Sequence, residues 1–155
     1  MRIDYHQYNE IVRPMHALSE AVNSGTLEPA LLELVKVRAS QINGCAHCLE
    51  MHTKDALALG ESGDRLNLVA VWREAPMFSG RERAALQWCE ELTLISHRQV
   101  PDELYEEMLR FFSEDEMWRL TLAITVINSW NRLALAFRAP VGDYISTKTA
   151  NQAKK

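Results

Sequence analysis

The sequence predicts an all-α protein of about six to seven helices. Glycine and proline are scarce, at six and five of 155 residues, and most of them fall where a helix is expected to begin or end. No alternating run of β-branched residues is long enough to predict a strand. With 47% hydrophobic and 25% charged residues, the chain has the balance of a globular protein with a real core. We therefore expect residues 1–155 to form one helical domain.

Helix-breaking residues set the expected elements in order. Pro29 and Pro101 suit the first residue of a helix, and Gly60 suits a C-terminal cap. The predicted helices run approximately over Tyr5–Val22, Pro29–Ile42, Cys45–Gly60, Asp64–Arg73, Ser79–Ile95, Pro101–Phe112 and Ser113–Arg138.

Two of these helices begin with a recognisable capping pattern. Ser79 is followed three residues later by Glu82, and Ser113 by Glu116, and each pair fits a capping box. The last helix is apolar on nearly every face over Leu120–Ile127. That pattern is typical of a helix buried in the core or in a subunit contact.

Composition excludes several classes of partner. The net charge is -4 without a basic block, so nucleic acid is not expected, and Lys154–Lys155 is interpreted as a solvated tail. No run of 18 apolar residues is present, so no membrane span is expected. The first six residues do not resemble a secretory signal. With three cysteines, the chain is expected in a reducing compartment, the cytoplasm, where a Cys-x-x-Cys pair is more often catalytic or metal-binding than structural.

The segment Cys45-Ala46-His47-Cys48 carries the clearest chemical signal. On a helix, Cys45, Cys48 and His52 fall within a sector of roughly 60°. Two sulfurs so placed are close enough to form a disulfide or to bind one metal ion. His52 lies one turn after Cys48, so its imidazole can take a proton from that thiol. The N-terminal end of the helix also favours a thiolate.

Glu33 is a candidate partner of His52 by geometry. If the chain reverses at Asn43-Gly44, Glu33 lies about 15 Å back along one helix, and His52 lies about 12 Å along the next. Two antiparallel helices would therefore hold the carboxylate and the imidazole nearly level. A carboxylate there can orient the ring and raise its basicity.

Other interpretations of these residues stay open at this point. Cys45, Cys48 and His52 could bind zinc if Glu33 supplied the fourth ligand, or the cysteines could be buried and inert. Glu33 could be exposed, because Lys36 and Ser40 share its side of the helix. His47 points away from the cysteine face of an ideal helix and could lie on the surface, unless a distorted first turn returns it.

Four further interpretations concern cysteine and tryptophan. Haem attachment would need histidine directly after the second cysteine, where Leu49 stands, and a thioredoxin-like motif would need a βαβ setting. Cys89 is interpreted as an apolar filler. The tryptophans are expected to serve core or interface packing; they are Trp72, Trp88, Trp118 and Trp130.

The run Glu33-x11-Cys45-x-His47-Cys48-x3-His52 resembles the core motif of the AhpD-like alkylhydroperoxidases. These proteins belong to the carboxymuconolactone decarboxylase superfamily. All five positions match at the right spacings, and the Ser-Gln-Ile-Asn-Gly sequence before the first cysteine makes the likeness specific. The likeness covers roughly residues 28–60. The segment from Asn128 to Ala134 also resembles the C-terminal helix of short peroxidase-related members.

The resemblance implies a thiol-dependent peroxidase that forms homo-oligomers, often trimers or hexamers. It implies a small-molecule peroxide as substrate, no bound cofactor or metal, and an external dithiol donor of lipoyl or thioredoxin type. Cys48 would be the peroxidatic thiol and Cys45 the resolving one. His52 would accept the thiol proton and Glu33 would relay it through water, with His47 assisting.

Two arguments disagree on which of the two thiols attacks the peroxide. The helix dipole favours Cys45 as nucleophile, whereas proximity to His52 favours Cys48, and we expect the paired base to decide for Cys48. Other functions remain open: a thiol–disulfide adaptor with little peroxidase activity, a lactone decarboxylase, or a non-catalytic metal-binding or scaffolding oligomer. Lactone chemistry does not rely on a cysteine pair, so Cys45 and Cys48 count against it.

Overall fold

The structure is a computed structural model that describes residues 1–2, 5–97 and 99–148, with residues 5 and 6 described by their backbone. Within these ranges it has seven α-helices and no strand, which confirms the predicted all-α class. The helices are α1 (Asn9–Asn23), α2 (Pro29–Asn43), α3 (Ala46–Ala58), α4 (Gly63–Leu68), α5 (Gly80–Thr93), α6 (Asp102–Met108) and α7 (Glu114–Phe137). The predicted Lys154–Lys155 tail lies outside the described residues.

The capping patterns define the helix starts as expected. The Ser79 hydroxyl accepts the Glu82 N–H, and the Glu82 carboxylate accepts the Ser79 N–H in return. Ser113 and Glu116 repeat this arrangement at the start of α7. These reciprocal bonds satisfy amide groups that the first helical turn leaves without partners.

Several helices are shorter than predicted. α1 begins only after a 3-10 turn at Tyr5–Tyr8, and α4 gives way to a 3-10 turn at Val69–Val71. In the three-residue turn, side chains three apart share a face, and Val69 and Trp72 are both buried in one core cluster. Pro101 precedes α6 as its cap, with its carbonyl accepting the Tyr105 N–H.

The core is organised around α2 and α7. α2 packs against α3, α5 and α7, and α7 also packs against α1 and α5. Every residue of α2 from Leu31 to Val37 is buried, because neighbouring helices surround it. Glu33 and Lys36 are therefore buried together with the apolar residues, and the interpretation of Glu33 as exposed is wrong.

α7 is the longest helix and ends in an abrupt change of direction. Among the described residues it is the one helix long and apolar enough to cross a membrane by length and composition, a criterion that core helices of other proteins also meet. Arg138 ends it in the left-handed conformation, with φ at 52°. The chain then returns over α3.

Gly44 makes the turn that places α3 against α2. It takes up the left-handed conformation, with φ at 69°, and its N–H donates to the carbonyl of Gln41. Glycine adopts this backbone without the penalty that a Cβ atom imposes. The turn predicted at Asn43-Gly44 is thus present, and it brings Glu33 and His52 to the same level.

Candidate active site

The two cysteines stand where α3 begins. Cys45 is the N-cap residue of α3, and Cys48 lies in its first turn. Their sulfurs form a disulfide across a Cα–Cα distance of 5.4 Å, which is ordinary for such a bond. The Cys48 N–H also donates to the Cys45 sulfur over 3.3 Å. The expectation that both sulfurs lie within bonding reach is confirmed.

His52 and Glu33 form a direct pair between α3 and α2. Nδ1 of His52 lies 2.7 Å from Oε2 of Glu33, and both side chains are buried. An ionised carboxylate only accepts hydrogen bonds, so Nδ1 carries the proton and donates it. In the neutral ring, Nε2 is then left unprotonated and can accept a proton. The contact is direct, so no water is needed between the imidazole and the carboxylate.

Two lysines hold the other oxygen of the same carboxylate. Lys36, one turn along α2, donates to Oε1 of Glu33 over 2.9 Å and to the Asn23 side chain over 2.7 Å. Lys148, from the segment after α7, donates to Oε1 as well. Sequence reasoning missed both lysines. Lys36 had a signal, since a residue three after Glu33 shares its helix face, whereas Lys148 is 115 residues away in the chain and had none.

Asp55 completes the charged cluster. It lies three residues after His52 on α3, is buried, and accepts hydrogen bonds from the hydroxyls of Tyr144 and Ser146. Nζ of Lys148 is 3.6 Å from Oδ2 of Asp55. The cluster therefore holds two carboxylates and two ammonium groups around one imidazole, and the charges of its acids and lysines balance.

The cluster holds its members in defined protonation states. Burial by itself would raise the pKa of Glu33, but the positive charge of Lys36 and the contacts with His52 and Lys148 outweigh it, and the pKa lies well below its ordinary value. Burial lowers the pKa of His52, against the opposing effect of Glu33. At neutral pH the carboxylate is thus ionised and the imidazole is neutral, the state required of a general base.

A cavity of about 280 Å³ opens beside this cluster. Cys48, His52, Glu33 and Lys148 line one part of its wall. The remaining wall is mostly apolar and comes largely from α7, with residues of α1 and α3 beside it; it includes Met51, Val126, Ile127, Leu133, Ala134 and Phe137. Cys45 is not among the lining residues. A molecule in the cavity would therefore meet Cys48 rather than Cys45.

Residues 10–91 match the model of the carboxymuconolactone decarboxylase family, which is more than half of the chain. The chain belongs to this family. The matched region contains all five predicted site residues, from Glu33 to His52, and its fold is that of the AhpD-like members. The cavity residues of α7 and Lys148 lie outside it.

Individual relatives agree with this assignment. The uncharacterized protein YdfG of Bacillus subtilis is 38% identical over 136 residues, covering 87% of this chain and 92% of the relative. A solved structure from Agrobacterium tumefaciens is 40% identical with a TM-score of 0.88, and covers 92% of this chain and 99% of that one. It is a protein of unknown function whose name suggests an antioxidant defence protein AhpD.

More distant structures share the fold alone. The debrominase Bmp8 is 15% identical with a TM-score of 0.76, and the match covers 89% of this chain and 74% of that one. The carboxymuconolactone decarboxylase fold thus also carries a reaction other than peroxide reduction. The reaction must be argued from the side chains of this chain.

His47 lies at the rim of the cavity. Its Nδ1 is 2.6 Å from the carbonyl oxygen of Pro140, and the residue is partly exposed. It lines the cavity together with Cys48. The first turn of α3 thus brings His47 to the same cavity, although its ring is held by the returning chain.

The zinc interpretation requires the reduced protein. In the structure the Cys45 and Cys48 sulfurs are bonded to each other and are not available as thiolate ligands, whereas Nε2 of His52 is not engaged by the bond of Nδ1 to Glu33. Glu33, His52 and Asp55 do offer three ligand atoms within 4.8 Å of one another. Lys36 and Lys148 already compensate that negative charge through direct bonds to Glu33.

Cys89 is buried away from the cavity, as the interpretation as a filler predicted. Its thiol donates to the carbonyl of Val35 over 3.4 Å, and burial raises its pKa to about 12.

The four tryptophans differ in their surroundings. Trp72 and Trp88 are buried, Trp118 is 70% exposed, and Trp130 lines the cavity beside His16. Core packing therefore accounts for Trp72 and Trp88, and interface packing of the others stays a prediction.

Proposed function

We propose that this protein is a thiol-dependent peroxidase that reduces organic hydroperoxides through Cys45 and Cys48. One observation carries the proposal. Cys48 borders an apolar cavity next to a neutral imidazole whose Nδ1–H is held by a carboxylate, and a second sulfur lies within bonding distance. These are the parts that a two-cysteine peroxidase needs: a base, a nucleophile, a resolving thiol and a pocket.

The cycle begins with proton transfer from the reduced Cys48 thiol to Nε2 of His52. The thiolate attacks the outer oxygen of the hydroperoxide, the O–O bond breaks, and Cys48 becomes a sulfenic acid. The departing alkoxide takes the proton from the His52 imidazolium and leaves as an alcohol. Glu33 stabilises the imidazolium through Nδ1 throughout these steps.

Cys45 then closes the disulfide. Its sulfur attacks the Cys48 sulfenic sulfur, and the hydroxyl leaves as water together with the Cys45 proton. The sum is one hydroperoxide and two thiols converted to one alcohol, one water and one disulfide. An external dithiol reduces the disulfide by exchange and is itself oxidised to a cyclic or protein disulfide.

The assignment of Cys48 as the attacking thiol rests on access. Cys48 lines the cavity and Cys45 does not. Cys45 occupies the N-cap position, where the helix dipole acts, but a peroxide in the cavity cannot meet it first. The accessible thiol with a neighbouring base is the better nucleophile.

The cavity wall supports an apolar substrate. Its aliphatic and aromatic lining suits the alkyl or aryl group of an organic hydroperoxide. Hydrogen peroxide has no such group and would leave water in contact with the apolar wall. Because Cys48 is only 2% exposed, the dithiol donor must be small or flexible, such as a lipoyl arm, or must displace part of the wall. A reducing compartment such as the cytoplasm would supply it.

We also propose that the protein acts as a homo-oligomer, a trimer or a hexamer. Several large apolar side chains stand on its surface, among them Ile11, Trp118 and Ile145, which are at least 70% exposed. Exposed apolar side chains of this size favour association with another subunit. The mass of the protein in solution, by light scattering at several concentrations, tests this.

Steady-state consumption of cumene hydroperoxide with dithiothreitol as donor tests the function. We expect saturable turnover, a higher kcat/KM for cumene hydroperoxide than for hydrogen peroxide, and a rise in KM for the bulky substrate in Ala134→Phe, which narrows the cavity. Efficient reduction of a disulfide substrate without peroxide turnover would instead identify a thiol–disulfide adaptor. Lactone turnover retained in the double Cys→Ser variant would identify a decarboxylase.

A further inference from the structure

After α7 and its cap Arg138, residues Ala139–Lys148 form a strap along α3. The strap is held by five polar contacts from four α3 side chains; three of these side chains recur every three to four residues and share a helix face, and the fourth, Asp55, directly follows Lys54. The contacts join His47 to the Pro140 carbonyl, Glu50 to the Gly142 N–H, Lys54 to the Tyr144 carbonyl, and Asp55 to the hydroxyls of Tyr144 and Ser146. The strap therefore has a defined path.

The strap ends with Lys148 in the charged cluster. Its ammonium donates to Oε1 of Glu33 and lies 3.6 Å from Asp55, and its side chain is 25% exposed. Lys36 donates to the same Oε1 from α2. Because both lysines donate to Oε1, Oε2 is the oxygen that accepts from His52. The lysines therefore fix the orientation of the Glu33 carboxylate relative to the imidazole ring.

Groups from two helices face His52, and the strap acts on it through them. Glu33 and Lys36 approach from α2, and Cys48 and Asp55 belong to α3 itself. Lys148 of the strap contacts the Glu33 carboxylate and lies 3.6 Å from that of Asp55. A cation near the ring opposes formation of the imidazolium, and an anion favours it. Lys36 and Lys148 together balance Glu33 and Asp55, so Lys148 keeps the imidazole neutral at a pH where one unbalanced carboxylate would favour the imidazolium.

We propose that the strap completes the active site and that Lys148 is a positioning residue, which orients the Glu33 carboxylate on His52 and keeps the base unprotonated between turnovers. This rests on the proposed function of the site. The strap lies beyond residues 10–91, which match the family, so the inference concerns a part of the chain that the family match does not cover.

An NMR titration of the His52 ring in the oxidised full-length protein tests the role of Lys148 without any peroxide. Lys148→Met should move the His52 pKa upward by about one pH unit, since a unit charge several ångströms away has an effect of that size. Lys148→Arg should restore the wild-type midpoint. Lys54→Met is the matched control: it removes an ammonium that contacts the strap but not Glu33.

Two results would overturn the proposal: an unchanged His52 midpoint in Lys148→Met, or an equal shift in Lys54→Met. The second result would assign the effect to a loosened strap or to net charge. Peroxide turnover of the wild type, measured separately, tests the proposed function. A shifted midpoint in a chain without peroxidase activity would refute that function and leave the role of Lys148 in place.

Discussion

Two regions of this molecule hold the same three kinds of side chain and differ in chemistry. At the cavity, Cys48 and Glu33 lie with His52 and two lysines. Between α2 and α5, Cys89 and Glu90 lie with two arginines. Each region thus has a buried thiol, a buried carboxylate and basic groups.

In the α2–α5 region, Glu90 is the centre of a buried network of salt bridges. Glu90 accepts hydrogen bonds from Arg38, Arg73 and the Trp72 indole, with distances of 2.6 to 2.9 Å. Burial would raise the pKa of Glu90, but these donors lower it. Arginine keeps its proton at any physiological pH, and the lowered pKa of Glu90 makes its carboxylate a weak base, so neither is an effective acceptor for the proton of Cys89.

If the proposed function holds, burial and nearby charge alone do not make a thiol reactive. Cys48 and Cys89 are both buried, at 2% and 0% exposure. Cys48 differs in having an imidazole that is neutral at pH 7 and a cavity that can admit an oxidant. Under the proposed function, a proton acceptor and access separate the reactive site from the structural one.

Exchanging the thiols one at a time gives the largest expected contrast. Cys48→Ser should lower peroxide turnover at least about a hundredfold, because it removes the nucleophile. Cys89→Ala should keep turnover within about twofold and cost about 1 kcal/mol of stability. A dimedone-type label for sulfenic acid should survive in Cys45→Ser and vanish in Cys48→Ser; the reverse pattern would make Cys45 the attacking thiol.

Neutralising the two glutamates sharpens the same contrast at a smaller scale. Glu33→Gln should lower kcat by about tenfold or more, because His52 loses the carboxylate that stabilises its protonated form. Glu90→Gln should leave kcat near the wild-type value. Both variants should unfold at a lower urea concentration. Glu33→Gln should lower the free energy of unfolding by roughly 3 kcal/mol, since the buried Lys36 loses its counter-ion. Equal kcat losses in the two variants would reduce Glu33 to a structural role.

The pH dependence of stability should also distinguish the two regions. This is the smallest of the three expected effects. His52 has a pKa below its ordinary 6.5 in the folded protein. As pH falls below 6.5 the unfolded chain binds this proton first, so the free energy of unfolding decreases. Glu90, with a pKa below 4.5, contributes such a loss only under more acid conditions. Urea titrations between pH 7 and 5 should show a shallower decrease in His52→Gln and an unchanged one in Glu90→Gln; equal slopes in all three would contradict this.

Much of the fold and the centre of the site could be predicted from local patterns. The capping boxes at Ser79 and Ser113 are satisfied by neighbouring residues, so the sequence contains the whole signal. The spacing of Cys48 and His52 likewise fixes a shared helix face. The turn at Gly44 and the rise per residue predicted that Glu33 and His52 lie at the same height along their two helices. The 2.7 Å contact confirms this prediction.

The parts that could not be predicted depend on distant packing. Lys36 was placed with Glu33 on a face taken to be exposed, but whether a face is buried depends on which helices cover it. Asp55 shares the face of His52, a signal that was available and was missed. Lys148 reaches Glu33 through an irregular segment, and no periodic pattern encodes that path.

Counting free thiols in the reduced protein before and after one equivalent of cumene hydroperoxide tests the central claim most directly. The chain has three cysteines, so the reduced, denatured protein should show three thiols before oxidation. We predict one after oxidation, with the remaining thiol mapped to Cys89 by alkylation and mass spectrometry. Three thiols after oxidation, or a disulfide that includes Cys89, would contradict the account.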